Sequence, residues 1–337
     1  MFYCMRYKNY IAGKWVTPSS GKYFDSFNPH NKKSLGKFPK SNDADVRAAI
    51  DAAEKSYPLW KDMPAPKRGE ILFRVADLLR KNKERLARIM TMEMGKVLNE
   101  ARGDVQEAID VAEYMAGEGR RLFGHTTPSE LKDKSCMTIR VPIGIVGVIT
   151  PWNFPIAIPM WKLMPALVCG NTVVFKPSSD TPLCAVALVK ILEKAGVPKG
   201  AVNLVAGEGR EVGDVLLNDH RVRAISFTGH RDTGKYLLAH AGIKRIGLEL
   251  GGKNPIIVMD DADLTLAVDG ILWGGYGTTG QRCTACSRVI VHKKVKKKLE
   301  RMLLQRIKKL RLGNGLQRKT DVGPLVNQMA VEKSTKY

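Results

Sequence analysis

The stretch IVGVITPWNFPIAIPMWKLMPALVCGNTVVFK, residues 145–176, decides the fold. Its apolar run at 145–149 is typical of a buried strand, 155–167 is typical of a helix, and 172–175 reads as a second strand. Strands joined through a helix in this way lie parallel in one sheet. We therefore expect a parallel sheet covered by helices.

The same alternation continues along the chain. Further strands are predicted at 202–205, 224–227 and 247–250, each followed by a glycine-bearing turn, with helices at 182–195, 211–217 and 232–241. Thr181 is the expected N-cap of the helix at 182–195, and Pro182 suits its first position. Short strands and turns are predicted at 7–28, and four helices at 41–59, from about 66, at 83–94 and at 99–117. The pattern predicts an α/β fold.

Length, composition and cysteine content bound the class of protein. At 337 residues the chain suggests two domains, or one domain and part of another, and 44% hydrophobic with 26% charged residues indicates a globular protein. The sequence has neither a secretory signal nor an apolar run long enough to span a bilayer, so we expect a cytoplasmic protein. Disulfides are not expected from six cysteines without framework spacing: Cys4, Cys136, Cys169, Cys184, Cys283 and Cys286.

The net charge of +22 raises the question of a polyanionic partner. Residues 293–319 carry twelve Lys or Arg and one acid, Glu300. Apolar residues in this segment recur at helical spacing, so the charges fit the solvated face of an amphipathic helix. A nucleic-acid surface is the alternative, but no aromatic interleaving accompanies the charges. We expect no nucleic-acid and no membrane partner.

The stretch GGYGTTGQRCTACSR, residues 274–288, surrounds Cys283 with small residues. Taken alone, Cys283 is either an accessible nucleophile or one more small buried residue. Cys283 and Cys286 form a C-x-x-C pair, but no second pair or histidine cluster accompanies it, so no metal is expected.

Two glycine-rich turns are candidates for binding a dinucleotide. GEGREVG (207–213) and FTGHRDTG (227–234) both follow predicted strands, where backbone amides can approach a pyrophosphate. Neither matches the G-x-G-x-x-G pattern, and each taken alone is also explained as a tight turn.

Four motifs, taken together, indicate a family. TPWNFP (150–155), FKPSS (175–179), LELGGKNP (248–255) and GQRC (280–283) occur in the order found in NAD(P)-dependent aldehyde dehydrogenases, which this chain resembles over nearly its whole length. The resemblance implies a Rossmann-type NAD(P)-binding domain at 1–251. The polar, turn-rich stretch at 122–142, with a strand expected at 137–141, is interpreted as a hairpin inserted in this domain for oligomerisation. The resemblance further implies an incomplete catalytic thiol domain at 252–337.

The resemblance also implies the chemistry. Cys283 would add to the aldehyde carbonyl, giving a thiohemiacetal and then a thioester. Glu249 would be the general base, and its presence favours hydrolysis to the free acid over transfer to coenzyme A. Asn153 would stabilise the oxyanion together with the backbone N–H of Cys283. Without the family, Glu249 reads as a carboxylate at a strand end and Asn153 as a turn residue.

The cofactor would be NAD or NADP, held in a cleft lined by residues of the same motifs. Lys176 resembles the lysine that binds the adenosine ribose, and Ser179 stands where many NAD-preferring members have glutamate. We therefore expect NADP to be accepted, because nothing repels its 2′-phosphate. His230 replaces a small hydroxyl residue at the pyrophosphate. The complete expected set is Ile149, Trp152, Lys176, Ser179, Gly209, Gly213, Phe227, Gly229, His230, Gly234 and Leu250.

The substrate and the extent of the chain are less defined. Glu107 and Arg282 resemble features of members that oxidise amino-aldehydes and semialdehydes, although solvent-exposed charges are the alternative. The family continues beyond the matched motifs, so we expect a truncated member, inactive or poorly soluble alone and a homo-oligomer when complete. The competing hypothesis is a catalytically inactive remnant that retains only dinucleotide binding or assembly.

Overall fold

The computed structural model describes residues 5–336, so Cys4 and Tyr337 lie outside the described residues. The other five cysteines are free thiols. No helix within residues 5–336 is long and apolar enough to cross a membrane.

The chain begins with short strands and four long helices, as predicted. The strands are β1 (Asn9–Ile11), β2 (Lys14–Val16), β3 (Tyr23–Phe27) and β4 (Ser34–Pro39). The helices are α1 (Asp43–Asp62), α2 (Ala65–Lys81), α3 (Lys83–Met94) and α4 (Leu98–Glu118). Helix α1 starts with a capping box in which the Asn42 side chain accepts from the Asp45 N–H and the Asp45 carboxylate accepts from the Asn42 N–H.

An antiparallel hairpin follows, formed by β5 (Thr126–Pro128) and β6 (Ser135–Met137). The strand predicted at 137–141 is therefore misplaced. Pairing ends soon after Thr126 meets Met137, with one further bond from the Thr138 N–H to the His125 carbonyl, 2.8 Å. The apolar residues that suggested a strand are exposed: Ile139 at 74% and Val141 at 67%.

The predicted alternation of strands and helices forms the central sheet. Its strands are β7 (Ile145–Ile149), β8 (Thr172–Lys176), β9 (Val202–Leu204), β10 (Val222–Gly229) and β11 (Arg245–Leu250). Its helices are α5 (Ala157–Val168), α6 (Pro182–Ala195), α7 (Gly209–Asn218) and α8 (Arg231–His240).

The order of the seven strands is β11-β10-β7-β8-β9-β1-β2. Strands β7 to β11 are parallel, whereas β1 and β2 close one edge as an antiparallel hairpin. From β7 the chain builds outward through β8 and β9, then returns to β10 on the other side. Such a reversal leaves a crevice at the carboxyl ends of the strands, where ligands of α/β sheets bind.

Both faces of this sheet are buried. On β8, Val173 and Phe175 join one apolar cluster with helices α2 to α6, while Val174 joins the other with α1 and α7. Adjacent strand residues point to opposite faces, so the continuous apolar run TVVFK fits a sheet covered on both sides. The expected α/β fold is confirmed.

Thr181 is confirmed at the N-cap position of α6, but its side chain does not cap the helix. The buried Thr181 hydroxyl has no hydrogen-bond partner in the described part of the chain. The Glu93 carboxylate of α3 instead accepts the N–H groups of Leu183 and Cys184 at 2.7 and 2.8 Å, and the Ser26 hydroxyl at 3.0 Å. A residue distant in sequence therefore caps this helix.

The remaining chain forms a smaller α/β unit. Its elements are β12 (Asn254–Val258), α9 (Leu264–Tyr276), a 3-10 turn (Gly277–Gly280), β13 (Cys286–Val291), α10 (Lys296–Ile307) and α11 (Gln328–Thr335). Strands β12 and β13 are parallel, and their apolar cluster contains Val258, Val268, Ile271 and Leu299. The amphipathic helix predicted from Val295 onward is confirmed as α10, with Leu299 buried.

Candidate active site

A cavity of about 640 Å³ lies where β7, β10 and β11 end and the Cys283 loop begins. We use the name Cys283 loop for residues 277–285. Cavity residues come from the turn after β7, the ends of β10 and β11, this loop, and the last helix. They include Trp152, Asn153, Gly229, His230, Leu250, Gly251, Gln281, Cys283 and Lys333.

Cys283 is exposed and lines this cavity. Its backbone carbonyl accepts a hydrogen bond from the Asn254 side chain, 2.7 Å, which fixes the peptide after the thiol to the start of β12. Cys286 begins β13, and its side chain is only partly exposed. The alternative that Cys283 is a buried packing residue is therefore wrong.

Asn153 touches the same loop. Its Nδ2 donates to the Gln281 carbonyl at 2.9 Å, two residues before Cys283, and its Oδ1 accepts from the Phe154 N–H at 3.1 Å. An amide nitrogen carries two N–H donors, and the second has no acceptor within residues 5–336. One donor thus holds the loop while the other remains for a ligand oxygen.

The turn that carries Asn153 is held by a buried ion pair between Lys96, which follows α3, and Asp104 of α4. Lys96 and Asp104 form a fully buried ion pair of 3.0 Å, and the Lys96 ammonium lies 3.8 Å from the centre of the Phe154 ring. Asp104 also accepts the N–H of Ala157 at the start of α5. Buried charges that satisfy each other in this way hold their surroundings rigidly.

The structure does not bring the Glu249 side chain to the cavity. Glu249 is exposed on β11, opposite Thr228 of β10, whereas its neighbours Leu250 and Gly251 line the cavity. Successive strand side chains point to opposite faces, so Leu250 and Glu249 diverge.

Lys162 of α5 lies near Glu249 and was missed by the sequence analysis. The Lys162 ammonium donates to the Ser226 hydroxyl at 3.2 Å, and Lys162 is 9% exposed. Burial lowers the pKa of Lys162 to about 8, although the Glu249 carboxylate opposes this shift. Only the position of a lysine inside an otherwise apolar helix signals such a group in the sequence.

A second cleft of about 700 Å³ adjoins the cavity and shares Pro151, Trp152 and Gly229 with it. Nine of the residues predicted for the cofactor line this cleft: Ile149, Trp152, Lys176, Ser179, Gly209, Gly213, Phe227, Gly229 and His230. Leu250 lines the neighbouring cavity instead.

Gly234 is not among the cleft residues, contrary to its predicted role. A methyl group at this position would lie 2.8 Å from the Leu250 side chain. Gly234 therefore allows α8 to pack closely on β11, behind the cleft.

Lys176 is buried at the end of β8. Its ammonium donates to the Pro177 carbonyl at 2.7 Å, and burial lowers its pKa to about 8 against the opposing charge of Asp180. The Ser179 hydroxyl donates to the Gly207 carbonyl at 2.9 Å. A ligand hydroxyl or phosphate that binds Lys176 or Ser179 must replace these hydrogen bonds to backbone carbonyls.

The expectation that nothing in the cleft repels a 2′-phosphate needs correction. Asp180, Asp214 and Asp232 also line the cleft, because the turns that supply its glycines supply these carboxylates too. Arg210 provides a cation that the sequence analysis missed, with its guanidinium 5.4 Å from the centre of the Tyr236 ring.

His230 stands between the two cavities as the N-cap of α8. Its Nδ1 accepts the N–H of Asp232 at 3.3 Å, which leaves Nε2 as the protonated donor of the neutral ring. His230 therefore caps α8 through its side chain.

The cleft fits a dinucleotide. Its volume falls in the range of small-molecule sites, roughly 300–1,000 Å³. Gly209 opens α7, and a methyl group there would meet nothing within 4 Å, so the helix N-terminus is open to an anion.

Arg282 and Glu107 have different surroundings. The Arg282 guanidinium lies 4.2 Å from the centre of the Trp273 ring and 3.4 Å from Glu100, so it is not a free surface charge. Glu107 is exposed on α4 and does not line the cavity.

The cavity is cationic. Four basic residues line it, no acidic residue does so within residues 5–336, and the sequence analysis had singled out only one of the four. They are Arg231, Lys253, Arg282 and Lys333.

Comparisons with known proteins agree on one family. The sequence profile of the aldehyde dehydrogenase family matches residues 15–337. Alpha-ketoglutaric semialdehyde dehydrogenase of Bacillus subtilis is 41% identical over 98% of this chain and 68% of its own length. Succinate-semialdehyde dehydrogenase [NADP(+)] of Escherichia coli is 41% identical over 96% of this chain and 67% of its own length.

Solved structures give the same result. The E. coli NADP dependent enzyme superposes with a TM-score of 0.96 at 40% identity, covering 98% of this chain and 69% of that one. Betaine aldehyde dehydrogenase of Staphylococcus aureus, solved in complex with NAD+, has a TM-score of 0.96 at 38% identity, covering 98% and 66%.

Proposed function

Because the chain belongs to the aldehyde dehydrogenase family, we propose that it oxidises a semialdehyde, an aldehyde that also carries a carboxylate, to the acid. The observation that carries the proposal is the 2.9 Å hydrogen bond from Asn153 to the Cys283 loop, since it joins nucleophile and oxyanion donor in one cavity. An inactive remnant is not favoured, because the exposed Cys283 thiol and the Asn153 amide line one cavity.

Once a base, proposed to be Glu249, has taken the Cys283 thiol proton, the sulfur forms a bond to the carbonyl carbon while the carbonyl π electrons move to oxygen. The free N–H of Asn153 and the backbone N–H of Cys283 bind this oxyanion. NAD(P)+, when bound, would accept the hydride that this carbon loses as the oxyanion re-forms the C=O bond, which leaves a thioester on Cys283. Water then adds to the thioester carbonyl as a base takes its proton, and the C–S bond breaks to release the acid and the Cys283 thiolate.

Glu249 is the proposed base for that water. Its side chain is exposed and directed away from the cavity, so it would have to reorient to reach this water from its place beside the cavity residues Leu250 and Gly251. The buried Lys162 supplies a nearby cation for the carboxylate.

The proposed substrate class follows from charge. Basic residues line the cavity and no carboxylate does so within residues 5–336, which favours an aldehyde that bears a negative group, although Arg231 pairs with Asp232 at 3.2 Å and Arg282 with Glu100 at 3.4 Å. The names of the B. subtilis and E. coli relatives both specify such acids.

The test compares succinate semialdehyde with butanal, an uncharged aldehyde of equal carbon number, using NADP+ and NAD+ in turn. We expect kcat/KM to be at least about tenfold higher for the semialdehyde, and Cys283→Ser to abolish turnover. Equal values for the two aldehydes would remove the semialdehyde proposal, and turnover by Cys283→Ser would remove the mechanism.

We also propose that the protein accepts NADP as a cofactor and that it forms a homo-oligomer. Ser179 and Arg210 support acceptance of NADP at the cleft, and the exposed hairpin at 122–142 supports assembly. We further propose that the division into a cofactor domain at 1–251 and a thiol domain at 252–337 follows the separation of the seven-stranded sheet from the β12-β13 sheet.

A further inference from the structure

The Cys283 loop contains an unusual backbone conformation. Thr278, Thr279 and Gly280 have φ values of 52°, 59° and 69°, so three successive residues are left-handed. Glycine adopts this region freely, but threonine does not, because its branched Cβ crowds the backbone. Two threonines here require surrounding contacts that hold them.

Glu100 of α4 supplies the central contact. One of its carboxylate oxygens accepts the Thr278 N–H at 2.8 Å and lies 3.4 Å from the Arg282 guanidinium. The Glu100 side chain is 10% exposed and that of Arg282 13%, so water competes little for these bonds. The Arg282 Nε also donates to the Thr278 hydroxyl, 2.9 Å.

Gly277 leaves room for the Arg282 guanidinium. A methyl group at position 277 would lie 2.5 Å from the guanidinium and would displace it from its present position. The turn is closed by the Gln281 N–H on the Thr278 carbonyl at 3.0 Å, and the Gln281 carbonyl is the group that Asn153 binds. The contacts thus run from Glu100 through the strained turn to Asn153.

We infer that Glu100 is a positioning residue for the nucleophile: its carboxylate oxygen holds the left-handed turn at Thr278, and the turn sets Cys283 opposite Asn153. The catalytic meaning of this inference rests on the proposed function, whereas the structural part does not. For this role the length of the side chain at position 100 matters more than its charge, because its acceptor oxygen must reach from α4 to the Thr278 N–H.

The first experiment measures backbone hydrogen exchange in a peptide covering 277–285. Glu100→Ala removes the acceptor, and we expect exchange of this peptide about tenfold faster. Glu100→Gln keeps an acceptor oxygen at the same reach, so exchange stays within about threefold of the native rate. Glu113→Ala is the matched control, because Glu113 lies on the same helix and pairs with Arg80 at the surface.

Buried Cys184 reports whether each variant remains folded, because global unfolding exposes it to iodoacetamide. If Glu100→Ala unfolds the chain, Glu100→Gln and Glu100→Asp decide between reach and charge. The inference predicts that Gln protects the peptide and the shorter Asp does not. Protection by Asp but not by Gln, or native exchange in Glu100→Ala, would overturn it.

The second experiment measures turnover with succinate semialdehyde. We expect Glu100→Ala to lower kcat by about tenfold to a hundredfold with little change in KM, and Glu100→Gln to retain most of kcat. A rise in KM alone would contradict positioning of the nucleophile. If native protein oxidises no aldehyde, the proposed function fails while the exchange comparison still tests the inference.

Discussion

The side-chain amide of Asn153 links the Cys283 loop to the turn that follows β7 of the central sheet. One Nδ2 hydrogen holds the Gln281 carbonyl and the other is free, so the same side chain can orient the loop and bind an oxyanion. The sequence identified Asn153 as a family residue, but the bond to Gln281 depends on segments that are far apart along the chain.

We predict that Asn153→Ala lowers kcat by about 10² to 10³, because the oxyanion loses a donor. Steady-state kinetics with succinate semialdehyde will measure this, and the KM for the cofactor should change little. Asn254→Ala is the comparison, because Asn254 also holds the loop but uses its amide on the Cys283 and Ala285 carbonyls, so its kcat should fall less than that of Asn153→Ala. An unchanged kcat in Asn153→Ala would exclude the oxyanion role.

Ser179 offers a test of cofactor choice. We predict that Ser179→Glu lowers kcat/KM with NADP+ at least about tenfold and with NAD+ less than about threefold, because a carboxylate in the cleft repels the 2′-phosphate. Ser179→Ala removes the hydroxyl without adding charge and serves as control. Equal losses with both cofactors would show that Ser179 does not face the 2′-position.

At the scale of elements, the predictions succeeded where the hydrophobic period was clear. The sequence predicted α3 at 83–94 and β7 at 145–149 with the observed bounds. Helix α9 was not predicted, because Leu264–Tyr276 is apolar on most sides and contains three glycines. Strand β12 was missed because its second residue is Pro255.

The cap of α6 gives a prediction of pH dependence. Burial raises the pKa of Glu93 to about 7, although the two helix amides that it accepts act in the opposite direction. The folded state therefore keeps a proton between pH of about 4.5 and about 7 that the unfolded state releases. Glu93 therefore contributes fully to the free energy of unfolding below pH of about 4.5, and this contribution is lost as the pH rises through about 7.

We predict that the difference in unfolding free energy between native protein and Glu93→Gln falls by up to about 3 kcal/mol from pH 4.5 to pH 7. Urea unfolding at several pH values will measure it, and the subtraction cancels groups common to both proteins. Glu113→Gln, at an exposed ion pair, should show no such trend. A difference that is constant with pH would contradict the raised pKa.

At the scale of the whole molecule, the fold class was predictable and the orientation of the site was not. The parallel direction of the strands follows from the repeated strand, turn and helix pattern, whereas their order in the sheet was not predicted. The direction of the Glu249 side chain and the carboxylates Asp180 and Asp214 in the cleft depend on how distant turns meet, which no local pattern encodes. Cytoplasmic location stays a prediction.

The hairpin at 122–142 gives a prediction of assembly. Leu131, Met137, Ile139 and Val141 are each more than half exposed, and apolar residues concentrated in this way mark an interaction surface. We predict that Ile139→Asp with Val141→Asp reduces the molar mass measured by light scattering to that of a monomer. Leu59→Asp, at an exposed leucine of α1, should leave the mass unchanged. A native protein that is already monomeric would contradict the prediction.

The edge hairpin of the central sheet has a consequence for synthesis. Asn9 of β1 accepts the N–H of Ala206, 197 positions later, so the first strand is made long before the residues that receive it. At about 5–20 residues per second, β1 leaves the ribosome roughly 10 to 40 seconds ahead of its partner. Its length of three residues is then an advantage, because so short a strand offers little to a neighbouring nascent chain during the wait.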